Sequence, residues 1–304
     1  MIERKINMYT CSKARMEDKI KTFSKFGDAG HGGITRYSLS PEAIMARNEF
    51  KKRMEAIGAI IEVDDVANMY ATLPGSDANA KRIVMASHCD SVKNGGNYDG
   101  ILGVMSAMEV LETVYEQKIP HKHPLTAMIW TNEEGSLYPP AMMCSGIVCY
   151  DYLPEDIRSK FKFEDMMNSK SILDSTKTFG EALEKSGFKG DKKYRLSPDN
   201  YQYYFETHIE QGPILEDNGN DIGVVDLRSR NVQLSLEILR SDNSRGHFPD
   251  AKAPRRVLCG IAGTLLSARG NRQAGLHGFG LHHGRGCLSP LRSHLCARLF
   301  RLLV

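Results

Sequence analysis

Histidine and carboxylate side chains follow three short apolar runs of the sequence, RIVMAS, LTAMIWT and YYFET, and the loop between the first two. Neutral imidazole and carboxylate groups are ligands that zinc and manganese accept. A carboxylate left free of metal can take a proton from water and pass it to a leaving group. The pattern therefore predicts most of a two-metal centre that activates water, built from His88, Asp99, Glu133, Glu134 and His208.

The spacing around these residues suggests individual roles. Asp90 stands two residues after His88 and is suited to accept the second ring N–H of that histidine, which would fix its tautomer. Asp99 lies in the glycine-bearing loop NGGNYDG, where a carboxylate can bridge two cations. Neighbouring acids point in different directions, so Glu133 and Glu134 can supply one ligand and one free base.

Each feature has a plainer interpretation when it stands alone. A His-x-Asp pair is more often a hydrogen-bonded surface pair, adjacent glutamates are mostly solvated charge, and an aspartate beside glycine is usually a turn residue. Their joint position at the ends of successive apolar runs favours a site over these alternatives.

An amphipathic helix is predicted over residues 41–60. Ser40 supplies an N-cap, Pro41 occupies the first helical position and Glu42 adds an early acid. Gly58 is a typical residue to end a helix.

The rest of the region predicts an α/β fold. Residues 59–73, 82–87 and 125–131 favour strands, residues 101–117 favour a helix, and YQYYFETHI favours a late strand. A further helix is predicted around Thr178–Ser186. This alternation is typical of a mixed, mostly parallel sheet flanked by helices, with ligand groups at the carboxyl ends of its strands.

Composition narrows the class of protein. Hydrophobic residues make up 41% and charged residues 25%, as in soluble globular proteins. The sequence has no apolar run near the roughly 20 residues of a membrane span, and its N-terminus does not resemble a secretory signal. None of the seven cysteines has a C-x-x-C spacing, so we expect a reducing cytoplasm rather than a disulfide scaffold or zinc ribbon.

The charge distribution divides the chain near residue 226. Residues 1–225 hold 27 Lys+Arg against 33 Asp+Glu, whereas residues 226–304 hold 13 against 4, and arginine largely replaces lysine there. We expect a domain over 1–225 and an irregular Arg-, Gly- and Leu-rich tail over 226–304. Nucleic-acid binding by this tail is disfavoured, because aromatic residues are scattered and no known module is present.

Three segments, SHCDSVKNGGNYDGILGV, TNEEGSLYPPAMMCSG and ETHIEQGPILE, resemble the M20 metallopeptidase and aminoacylase superfamily. More narrowly, they resemble its amidase, hydantoinase and carbamoylase branch, which includes N-carbamoyl-L-amino-acid hydrolases, allantoate amidohydrolases and β-ureidopropionases. The resemblance covers about residues 20–225. HIEQGP is its most specific motif and disfavours an M20 aminoacylase or peptidase.

The resemblance implies a zinc-exopeptidase-like catalytic domain with two divalent ions: zinc, manganese or cobalt. His88 and His208 would bind one ion, Glu134 the other, and Asp99 would bridge them. Glu133 would be the general base and acid, and Gln211 would lie near the substrate. The implied reaction is hydrolysis of a linear C–N bond in a ureido or amidine group of a small molecule by metal-bound hydroxide.

The resemblance ends near residue 225. The family continues into a satellite domain that forms a homodimer, and it takes a further histidine ligand near its C-terminus. We therefore expect that residues 226–304 are an out-of-frame or recombined end, and that an inactive, truncated remnant is the alternative to an active hydrolase. Four histidines of the tail could replace the ligand but are better explained by composition: His277, His282, His283 and His294.

Overall fold

The computed structural model describes residues 9–225 of the chain. Residues 9–222 belong to one compact unit. The expectations for the tail, including those for His277, His282, His283 and His294, lie outside the described residues.

A five-stranded mixed sheet forms the centre of the described region. Its order is β1-β2-β4-β3-β5, where β3 pairs in parallel with β4 and β5, and β2 pairs antiparallel with β1 and β4. The strands are β1 (Ile60–Val63), β2 (Met69–Leu73), β3 (Arg82–His88), β4 (Leu125–Trp130) and β5 (Tyr201–Phe205). The predicted mixed sheet flanked by helices is confirmed, although parallel and antiparallel pairings are equal in number rather than mostly parallel.

The described α-helices are α1 (Lys13–Phe23), α2 (Pro41–Ala56), α3 (Ile101–Glu116), α4 (Met143–Val148), α5 (Glu155–Arg158), α6 (Phe163–Met167), α7 (Phe179–Ser186) and α8 (Ile214–Asp217). Three short 3₁₀ turns accompany them, at Tyr150–Tyr152, Ser159–Phe161 and Lys192–Tyr194. Within residues 9–225, none of the helices combines the length and the apolar character that crossing a bilayer requires.

The local signals of α2 act as predicted. The Ser40 hydroxyl accepts from the Ala43 N–H, and Pro41 takes the first helical position. The helix ends at Ala56, and Gly58 turns the chain with a φ of +78°.

The run 59–73, predicted as strand throughout, is divided in the structure by a tight turn between β1 and β2. The buried Asp64 carboxylate accepts from the backbone N–H groups of Val66 and Asn68, at 3.1 and 2.8 Å. A side chain that satisfies backbone donors in this way offers the chain an alternative to the strand ladder. The turn also brings β1 back antiparallel to β2.

A buried ion cluster fastens α1 to α3. The Lys19 ammonium is fully buried and pairs with the carboxylates of Glu109, at 2.7 Å, and Glu112. Arg15 also donates to Glu109, at 2.8 Å. Because an unpaired charge at such a depth would be costly, the cluster fixes where α1 lies on α3.

A glycine allows α3 to approach the sheet closely. A Cβ atom at Gly103 would lie 2.3 Å from the Thr207 carbonyl oxygen and 2.6 Å from the Ser87 Cβ. Helix α3 thus contacts both β3 and the segment that follows β5, and the residues after these two strands are brought near its N-terminus.

Replacing Gly103 by alanine is expected to destabilise the protein by about 1–3 kcal/mol, because overpacking here outweighs the better helix propensity of alanine. Chemical denaturation measures the change. Gly212→Ala, with no atom near its added Cβ, is the control and should leave the unfolding free energy close to that of the parent chain. A Gly103→Ala chain more stable than the parent would contradict the close approach.

Candidate metal centre

His88 is the last residue of β3 and is almost fully buried, with 2% of its surface exposed. Its Nδ1 lies 3.0 Å from the backbone carbonyl oxygen of Asp90. Since a carbonyl can only accept, this contact places the ring proton on Nδ1 and leaves the Nε2 lone pair directed away from it. His88 therefore offers Nε2 as a ligand atom.

The Asp90 carboxylate holds the turn after β4. Its oxygens accept from the backbone N–H groups of Glu133, at 3.3 Å, and Glu134, at 3.1 Å. It lies 3.9 Å from His88 Nδ1, so the ring N–H goes to the backbone carbonyl rather than to the carboxylate expected from the sequence. The carboxylate is engaged elsewhere because the parallel register pairs His88 with Trp130. This register brings the backbone N–H groups of the residues after β4 to Asp90.

Asp99 reaches the same point from the loop before α3. Its Oδ1 lies 3.2 Å from the Nε2 of His208 and 4.0 Å from the Nε2 of His88. Its Oδ2 accepts a hydrogen bond of 2.8 Å from the side-chain amide of Gln211. The hydrogen bond from His208 lowers the pKa of Asp99, which favours the charged carboxylate.

His208 follows β5 and completes the group. Its Nδ1 lies 2.8 Å from the Ile209 carbonyl oxygen, and its Nε2 lies 3.4 Å from the Nε2 of His88. With both Nδ1 atoms facing carbonyls, the two Nε2 lone pairs face each other, and a cation between them relieves the repulsion. Without a metal, a proton on His208 supplies this positive charge, because hydrogen bonding to Asp99 raises the pKa of His208 to about 9.

Three ligand atoms, one each from His88, Asp99 and His208, lie within 4.8 Å of one another. Two imidazoles and one carboxylate, arranged around a common point, are a donor set that divalent transition metals accept. The described region therefore contains a group of residues that could hold a metal ion.

The two glutamates after β4 lie beside this group but do not belong to it. The Glu133 carboxylate lies 3.7 Å from the Nε2 of His88. Burial raises the pKa of Glu133, and burial raises the pKa of Glu134 to about 7. Both carboxyl groups therefore bind a proton more readily than they would in water. Burial disfavours their charged form, and so does the negative charge of nearby Asp90.

Glu206 takes part in the site although sequence reasoning passed over it. It accepts from the hydroxyls of Ser87, at 3.1 Å, and Tyr204, at 3.0 Å, and Tyr204 in turn accepts from the Trp130 indole at 2.8 Å. This chain of bonds links β3, β4 and β5 next to the candidate ligands, because Ser87 directly precedes His88 and Glu206 lies two residues before His208. The sequence held a signal for this role of Glu206. Tyr204, Glu206 and His208 alternate along the chain, as residues on one face of a strand do.

The sequence matches one peptidase family and several amidohydrolases. Residues 68–206 match Peptidase family M28. The N-carbamoyl-L-amino-acid amidohydrolase of Rhizobium meliloti is 34% identical over 217 residues, which are 69% of this chain and 48% of that protein. The allantoate amidohydrolase of Escherichia coli is 31% identical over 243 residues, which are 80% of this chain and 56% of that protein.

The fold has matches among solved structures. A hydantoinase/carbamoylase family amidase from Burkholderia ambifaria aligns with a TM-score of 0.63 and 32% identity, over 71% of this chain and 49% of that chain. The fold and the ligand group together define a metallohydrolase-like protein. The chain belongs to the amidase, hydantoinase/carbamoylase family. It spans about half the length of the curated relatives it matches.

Gly100→Ala tests whether His88 must stand where it does. An added Cβ would lie 2.3 Å from the His88 ring, at a backbone position with a φ of +63° that disfavours side chains. The displaced ring should weaken binding of zinc or manganese by at least about tenfold, as losses around metal ligands do. Calorimetric titration measures it.

Gly96→Ala provides the matched control from the same loop, because its Cβ would meet only the Asp99 Cβ, at an ordinary 3.8 Å. Equal metal affinity in the parent chain and in Gly100→Ala would show that the ligand group does not bind the metal.

Proposed function

We propose that this protein hydrolyses linear C–N bonds in the ureido or amidine groups of small molecules such as N-carbamoyl-L-amino acids or allantoate. The observation that carries the proposal is the convergence of His88, Asp99 and His208 at the carboxyl ends of β3 and β5, with a half-buried glutamate beside them. The names of the two curated relatives support the same class of substrate.

His88, Asp99 and His208 would hold one divalent ion. A second ion would take Asp99 and Glu134, as the family resemblance implies; Asp99 Oδ2, which could serve it, is hydrogen-bonded to Gln211 in this structure. We propose zinc, manganese or cobalt, since such ligands accept all three. A divalent ion bound here supplies Lewis acidity toward the carbonyl oxygen of the substrate and acidifies water.

Glu133 is the proposed general base and acid. Its carboxylate lies 3.7 Å from the Nε2 of His88 and remains partly open to solvent, with 35% of the side-chain surface exposed. Burial raises its pKa, so the group can accept a proton from water and release it to the leaving nitrogen at a pH nearer neutrality. The hydrogen bonds that the Asp90 carboxylate accepts from the backbone N–H groups of Glu133 and Glu134 hold both residues at the site.

Gln211 is proposed to lie beside the substrate. Its side-chain amide donates to Asp99, which places it at the solvent side of the ligand group. A substrate that reaches the ligands from solvent would meet this residue.

Residues 1–225 would be the N-terminal part of the catalytic domain, and residues 226–304 a tail of different origin. The partner would be a small ureide or carbamoyl amino acid, rather than a nucleic acid or a membrane. A cytoplasmic location suits seven cysteines without paired spacing.

Two substitutions separate metal binding from proton transfer. Glu133→Gln should lower ammonia release from N-carbamoyl amino acids or allantoate by about 100-fold or more, while retaining the metal content of the parent chain. His208→Ala should lose both metal and turnover. Mass spectrometry of the bound metal and an ammonia assay measure the two quantities.

The matched control is His123→Ala. His123 is partly exposed, and its Nδ1 faces the Lys81 carbonyl rather than the ligand group, so metal content and turnover should both stay unchanged. A parent chain that binds metal but releases no ammonia from either substrate class would contradict the proposed activity. A Glu133→Gln chain with full turnover would contradict the role of Glu133.

A further inference from the structure

Arg36 is a buried cation that contacts the metal-binding loop. Only 2% of its surface is exposed. Among the described residues, its guanidinium donates to backbone carbonyls and makes no ion pair with a carboxylate. A buried charge is costly unless it is compensated, so an arginine with this arrangement calls for a reason beyond packing.

The guanidinium bonds in two directions. Its Nε donates to the Cys89 carbonyl oxygen at 2.5 Å, and its Nη1 donates to the carbonyl oxygens of Phe23 and Phe26, both at 2.9 Å. The backbone of Arg36 adds two bonds to Ser91, one from the Ser91 N–H to the Arg36 carbonyl and one from the Arg36 N–H to the Ser91 hydroxyl, both at 2.9 Å.

These bonds fix the corner between the candidate ligand His88 and Asp90. The Cys89 carbonyl begins the peptide unit that leads into Asp90, and the Asp90 carboxylate holds the amides of Glu133 and Glu134. Asp90 also lies close enough for its negative charge to interact with Arg36. Arg36 is therefore joined, through the Cys89–Asp90 peptide unit, to the residue whose carboxylate holds both glutamate amides.

The other end of the guanidinium reaches the loop of Asp99 indirectly. Ser24 lies between Phe23 and Phe26, and its hydroxyl accepts a hydrogen bond of 2.7 Å from the side-chain amide of Asn97. The segment after α1 is thus held by Arg36 on one side and contacts the Asp99 loop on the other.

We propose that Arg36 is a positioning residue for the metal centre, which sets the His88–Asp90 corner through the Cys89 carbonyl and places a buried positive charge next to that corner. The inference rests on the proposed metal site. Lysine at this position would keep the charge, but its single nitrogen cannot replace the separate Nε and Nη1 donors that reach the Cys89, Phe23 and Phe26 carbonyls.

The test compares the full chain with its Arg36→Lys variant in two measurements. In metal-free protein, hydrogen exchange measures the protection of the backbone amides of Ser91, Glu133 and Glu134, which are hydrogen-bonded to Arg36 and Asp90. In titrations with zinc alone, the dissociation constant reports the assembled site. Arg36→Lys should accelerate exchange at these amides and weaken zinc binding by about tenfold or more.

Tyr70→Phe is the control for a general loss of stability. Tyr70 donates from its hydroxyl to Asp64 at 3.0 Å, in a buried network built by other residues. Removing the Tyr70 hydroxyl should lower the melting temperature without changing the zinc affinity or the hydrogen exchange of the Ser91, Glu133 and Glu134 amides. If Arg36→Lys does not fold, Ser91→Ala loosens the same corner more mildly and should shift both measurements in the same direction.

Unchanged exchange at the corner in the variant that folds overturns the inference, as does unchanged zinc affinity against a parent chain that binds zinc. A parent chain that binds none of zinc, manganese and cobalt contradicts the proposed function instead. In that case the exchange measurement alone still decides whether Arg36 sets the corner.

Discussion

The imidazole rings of His88 and His208 present their Nε2 atoms to each other at 3.4 Å, with Asp99 Oδ1 3.2 Å from the second. Each ring is oriented by a carbonyl at its Nδ1, from Asp90 and from Ile209. Two lone pairs and a carboxylate directed at one point require a positive charge there. The surrounding structure holds the two imidazoles and the carboxylate close together, although their lone pairs and negative charge repel one another in the absence of a cation.

Close packing and buried charge hold them. The parallel pairing of β3 with β4 and β5 brings the carboxyl ends of the three strands to one edge. Gly100 and Gly103 let α3 lie against the His88 ring and the Thr207 carbonyl, where any side chain would collide. Arg36 and Asp90 carry opposite charges and satisfy backbone groups that would otherwise be orphaned in the interior. Backbone polar groups at the site are thus tied to buried ionic side chains.

Much of this could be predicted from the sequence, because the relevant signals are local. The buried runs that become β3 and β4, and the Ser40–Pro41 start of α2, depend on residues close together in the chain. The candidate ligands could be named because each follows such a run or lies beside glycine. The metal stoichiometry, the roles of these residues and the nature of residues 226–304 stay predictions.

Other features depend on contacts distant in sequence. The partner of the His88 ring N–H follows from the register of β3 and β4, and the role of Glu206 requires three strands to be adjacent. Arg36 lies 53 residues from Cys89, and nothing in GGITRYSLS indicates a buried guanidinium. The turn at Asp64 is local by contrast, and its signal, the turn-forming residues Asp64, Asp65 and Asn68 between the two strands, was overlooked.

X-ray absorption at the zinc edge of the zinc-loaded full chain measures which atoms coordinate the metal. We expect two imidazole nitrogens, at about 2.0–2.1 Å, together with carboxylate oxygen in the coordination shell. A shell that contains sulfur, or one made only of oxygen, would contradict the convergence of His88, Asp99 and His208 on a metal ion.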